Sequence, residues 1–109
     1  MIVTEDQVQV ALDYMNVDPH PVALARKDVT DAENKAKVAF AKAFLAATGS
    51  VDARKATAEL DPDYRAARDE EADAVKEYER HKQRVSGCEM IVSVWQSEGA
   101  NARAAERIR

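Results

Sequence analysis

Apolar residues recur along this chain at alternating steps of three and four, the spacing of a helix face that packs against another helix. From Pro21 onward the series Val22, Ala25, Val29, Ala32, Ala36, Ala39, Ala43 and Ala46 runs unbroken, and Val38, Phe40 and Phe44 widen it toward its end. A second series reads Tyr64, Ala67, Glu71, Ala74, Tyr78, His81, Val85, Cys88, Val92 and Trp95, with Glu71 and His81 as polar breaks. A shorter one, Val8, Leu12 and Met15, lies near the N-terminus.

Punctuation residues divide these runs. Thr4 followed three residues later by Gln7 is a capping-box signature, and it predicts a first helix over 5–15. The segment Asn16 to Pro21 breaks it, because Pro19 and Pro21 cannot continue a helix. Pro21 suits a first turn and Gly49 a C-terminal cap, which predicts a second helix over 21–48. Ser50 caps a short helix over 51–60, and Asp61-Pro62 opens a fourth over 62–98. Gly87 lies inside that helix and marks a close crossing or a bend, at a cost of about 1 kcal/mol relative to Ala. Gly99 is expected to end it, leaving 99–109 as a basic tail, frayed or separately helical.

The expected fold is therefore all-α. A long antiparallel, coiled-coil-like helical hairpin carries a short N-terminal helix and a short helix at its turn, in a single domain over 1–109. The alanine seam lets the long helices approach closely. Two helices leave apolar surface on one side, so a homodimer is expected, with Phe40, Phe44, Tyr78, Val85, Val92 and Trp95 as core or dimer anchors. Composition agrees: the chain is 46% apolar, with much of this alanine, and three Gly and three Pro leave few places for the turns of a sheet.

Chemical motifs are sparse. The chain holds no Gly-rich phosphate loop, paired-Cys motif or Ser-His-Asp pattern, so no enzyme, cofactor or small-molecule substrate is expected. His81 and Cys88 stand one heptad apart without the second pair that a zinc site needs, and they read as seam residues. The lone Cys88 forms no internal disulfide, which with the lack of a signal-like N-terminus leads to an expectation of the cytoplasm. No apolar run nears the ~18 residues of a membrane span.

Net charge is −4, which gives no global case for nucleic acid. Local clusters do. Arg54, Lys55, Arg65 and Arg68 fall near the hairpin turn, the last two at a helix N-terminus, where amides and the helix dipole favour a phosphate. Asn101, Arg103, Arg107 and Arg109 form a second cluster, with Trp95 and Gln96 just before it. Trp95 suits base stacking in one reading and the apolar seam in the other. A plainer reading pairs Arg54 and Lys55 with Asp52, Glu59 and Asp61 and leaves the tail to solubilise. The acids Asp69, Glu70, Asp73 and Glu77 interleave with bases, as on a solvated helix face, and they double as a candidate surface for a protein partner.

Several short stretches, Gly49-Ser50-Val51-x-x-Arg54-Lys55, Tyr64-Arg65-x-Ala67, the Tyr78 region, Trp95-Gln96 and Ala100-Asn101-x-Arg103-Ala104, carry a resemblance. The chain is similar to a group of short helical proteins of tailed bacteriophages, often encoded beside single-strand annealing or other recombination genes. In that group Arg-Thr usually follows the Trp; here Gln96-Ser97 does, which removes one positive charge. The resemblance implies a phage origin, action in the host cytoplasm, and an accessory role in DNA replication or recombination through single-stranded DNA or a DNA-processing protein. Two alternatives stand beside it: a protein-binding inhibitor of a host or defence protein, and a virion assembly component.

Overall fold

The computed structural model describes residues 2–108 and contains four helices: α1 Glu5–Met15, α2 Pro21–Ala46, α3 Val51–Glu59 and α4 Pro62–Ile108. Among the described residues there is no strand. The fold is all-α and hairpin-like, as the three-four periodicity predicts. The helices build two compact units, one from Met1–Pro21 with Arg80–Arg109 and the other from Val22–Glu79.

In the unit of residues 22–79, α2 packs antiparallel against the first part of α4. The seam is closed by small side chains: Ala25, Ala36 and Ala67 are buried, and Val29, Ala32, Ala39, Ala43 and Ala74 half-buried. Lys35 Nζ donates to both carboxylate oxygens of Glu70, at 2.9 and 3.1 Å, an exposed ion pair that bridges the two helices. Val38 does not widen the seam as expected: it is 53% exposed, whereas Phe40 meets Tyr64 of α4.

The turn is built by caps. α2 stops at Ala46, two residues short of the expected end, and Ala47 N donates to Ala43 O at 3.1 Å. Gly49 then takes φ +107°, a left-handed backbone that side chains other than glycine's resist. The Ser50 hydroxyl accepts from Ala53 N at 3.2 Å and starts α3. Ala58, with no exposed surface, anchors α3. The Asp61 carboxylate accepts from Tyr64 N at 3.0 Å, so Asp61 caps α4 and Pro62 fills its first turn.

In the other unit, α1 packs on a later part of α4. The capping box at its start is complete: Thr4 Oγ1 accepts from Gln7 N at 3.2 Å, and Gln7 Oε1 accepts from Thr4 N at 2.9 Å. The core is Ala11, Tyr14 and Cys88, with Met15, Val85, Ile91 and Val92 packed against it. The buried face of α1 is thus Val8, Ala11 and Tyr14, one step away from the expected Val8, Leu12 and Met15.

Three expectations about α4 are corrected. Gly99 does not end it; the helix continues to Ile108. One interior glycine costs only about 1 kcal/mol, and the alanines at 100, 102, 104 and 105 favour continuation. Trp95, expected as a core or dimer anchor, is not in the core of the single chain: it is 40% exposed, while Ile91 and Val94 turn inward. Nor does Gly87 mark a close crossing, since a Cβ there would meet nothing within 4 Å. Among the described residues, no helix is long and apolar enough to cross a membrane.

Candidate functional site

The bases near the turn have unequal roles. The last carbonyls of α2 lack helical partners, and Arg54 Nε donates to one of them, Phe44 O, at 3.3 Å. Its guanidinium carbon lies 4.5 Å from the centre of the Phe44 ring. Arg54 therefore places positive charge where the α2 dipole is negative, and it is half-buried. Among the described residues it forms no ion pair with Asp52, Glu59 or Asp61, and neither does Lys55, which is exposed.

Aromatic rings continue from that point. Phe44 stacks on Phe40 with ring centres 6.5 Å apart, and Phe40 meets Tyr64 edge-on at 5.2 Å. At the far end Arg68 donates from Nη1 to the Tyr64 hydroxyl at 3.2 Å and lies 3.6 Å from the Glu71 carboxylate. The Tyr64 hydrogen bond first, and then Glu71, holds the guanidinium charged above its ordinary range. Three rings thus run between two arginines, a ladder the sequence pattern did not reveal. Arg65 is exposed beside an open hollow of about 410 Å³ that it shares with Glu59, Tyr64, Arg68 and Asp69. The acids dilute its field, and Arg54 faces its carbonyl, so the four bases are unequally free to meet a phosphate.

The second cluster gains order from the continuation of α4. Asn101, Arg103 and Arg107 are exposed helical residues, and Arg109 lies outside the described residues. Gln96, Ala100, Arg103 and Arg107 follow steps of four, three and four, so they share a face. A Cβ on Gly99 would stand 3.6 Å from Arg103 Nη1, which places that guanidinium back over Gly99, on the turn that follows Trp95. Arg107 also sits in the last turn, where the helix dipole favours a cation. The candidate acidic surface, Asp69, Glu70, Asp73 and Glu77, is exposed on α4, with Glu70 tied to Lys35.

A polar cluster about Tyr14 escaped the sequence reading. Tyr14 is buried, its hydroxyl lies 3.3 Å from His81 Nδ1, and the Arg84 guanidinium carbon stands 3.9 Å above its ring. His20 meets the same ring edge-on at 5.0 Å, and Arg80 reaches His81 Nε2 at 3.4 Å. The available signal was His81, the polar break in the α4 seam, but its partner lay on an unread face of α1. The cluster gives a buried phenol its hydrogen-bond partner. Among the described residues, no group of three or more His, Cys, Asp or Glu is placed to hold a metal ion. Comparison with protein-family models, with curated proteins and with solved structures finds no match for the chain.

Proposed function

We propose that the protein is a non-catalytic accessory factor of a tailed bacteriophage, acting in DNA replication or recombination in the host cytoplasm by holding single-stranded DNA along the C-terminal part of α4. The observation that carries this reading is the helical course of residues 99–108. It aligns Arg103 with Arg107 on one face and sets Arg103 over Gly99, one turn from the half-exposed Trp95. Guanidinium groups supply phosphate contacts, and an aromatic face supplies sequence-tolerant stacking worth about 1–3 kcal/mol per base. The similarity to phage proteins encoded near recombination genes supports the same reading.

Fluorescence anisotropy with a single-stranded oligonucleotide at low salt tests it. Affinity should fall as salt rises, by about 0.7 in log–log slope per phosphate contact. The double variant Arg103→Glu, Arg107→Glu should weaken binding roughly tenfold or more. Absence of binding, or binding indifferent to salt, sinks the proposal.

A second reading rests on the exposed acids Asp69, Glu70, Asp73 and Glu77, which suit a basic groove on a host protein or on a DNA-processing enzyme. A stoichiometric partner captured from host lysate after nuclease treatment, and lost when these four charges are reversed, would favour it.

A further inference from the structure

The unit of residues 22–79 has an open groove of about 670 Å³ on one side of the α2–α4 pair. Alanines such as Ala39, Ala43 and Ala67 line it. Its two rims carry opposite charge: α2 brings Lys35 and Lys42, and α4 brings Asp63 and Glu70. Lys35 and Glu70 already pair across it at 2.9 Å. Seven residues further along α2, and seven back along the antiparallel α4, the same register sets Lys42 level with Asp63. Among the described residues, these two form no ion pair. Beside them Val38 is 53% exposed, and Leu45, one heptad on and on the same face of α2, is 74% exposed.

We propose that this groove is the interface of a homodimer whose twofold axis runs parallel to α2 and α4. Charge decides between the two ways of laying the groove on a copy of itself. An axis across the helices sets α2 on the partner's α2, which brings Lys35 and Lys42 toward a second set of lysines. An axis along the helices sets each α2 on the partner's α4, antiparallel, and keeps every residue at its own level. Lys42 then meets the partner's Asp63, and the symmetry repeats the pair. Val38 and Leu45 leave water, and small alanines let the four helices close at the usual spacing of about 8–10 Å. The Phe40–Phe44–Tyr64 ladder plays no part, since Phe40 and Tyr64 line a separate hollow with Glu33, Lys37 and Glu71.

Sedimentation equilibrium of the full chain should give twice the protomer mass of 12.0 kDa. Lys42→Glu alone and Asp63→Lys alone should each weaken the dimer, on the order of tenfold or more. Mixing the two variants should restore it, because both interchain pairs are then complementary; a contact within one chain could not be rescued this way. Circular dichroism checks that each variant keeps its helices. If either does not, Val38→Lys replaces it and should be monomeric. A wild-type chain that stays at 12.0 kDa at every concentration overturns the proposal and leaves the groove to another partner or to none. So does a mixture that fails to recover, a dimeric Val38→Lys variant, or a Lys42→Glu chain that prefers wild type to Asp63→Lys.

Discussion

Gly49 and Gly87 show how one residue type takes opposite roles. Gly49 holds φ +107°, and a Cβ there would also sit 3.4 Å from the Ala53 Cβ. Gly87 lies in ordinary helix with open space around it. Gly87→Ala should therefore stabilise the protein by about 1 kcal/mol, as helix propensity dictates. Gly49→Ala should destabilise it by about 1–2 kcal/mol through the left-handed backbone. Thermal melts of the two variants should shift in opposite directions, and a shared sign would contradict the local geometry. Both glycines were visible in the sequence; their roles were not. The pattern suggests a helix cap at Gly49, which instead shapes the turn before Ser50, and a close crossing or a bend at Gly87, where a Cβ would touch nothing.

At the scale of the element, most starts were legible, because capping is local chemistry. Thr4 with Gln7, Ser50, and Asp61 with Pro62 each mark the helix start that the structure places there. Ends were harder. α2 stops at Ala46, where the turn and the Arg54 side chain take over its carbonyls, and α4 runs through Gly99, where the composition favours helix more than one glycine opposes it. Faces were legible where alanines dominate and ambiguous where aromatics do. Periodicity alone could not choose between Leu12 and Ala11 as the inward position of α1, nor hold Trp95 on the inward face of α4. Among the site residues, Arg54 shows the limit best. Its type and place suggested a phosphate ligand, but its partner is a carbonyl ten residues back, at the end of another helix. Arg54→Ala should lower stability by about 1 kcal/mol, the scale of a charge at a helix end, and leave oligonucleotide affinity unchanged. A variant of full stability and weakened DNA binding would reverse that assignment.

For the molecule as a whole, the sequence conveyed that the chain is helical and alanine-seamed, and that its −4 net charge is unevenly spread. It did not convey which surfaces stay open, because that depends on which face of α2 the α4 helix covers. Of the six residues whose pattern suggests a core or an assembly anchor, Phe40 and Phe44 are half-buried and packed on one another, whereas Val38 and Leu45 stay open. If that surface joins two copies, the unfolding midpoint should rise with protein concentration, since mass action favours the associated native form. A midpoint constant across a hundredfold dilution series, roughly 3 kcal/mol in mass action, would argue for a monomer.

The course of α4 beyond Gly99 has one more consequence. Every residue from Ala100 to Ile108 faces water, so no packing shields this stretch from a protease. Brief trypsin treatment should cut after Arg103 and Arg107 long before it reaches the bonds beneath α1. The trimmed product should melt like the parent yet lose its grip on an oligonucleotide, so enzymatic shaving can separate the adhesive end of the protein from its scaffold without a single mutation.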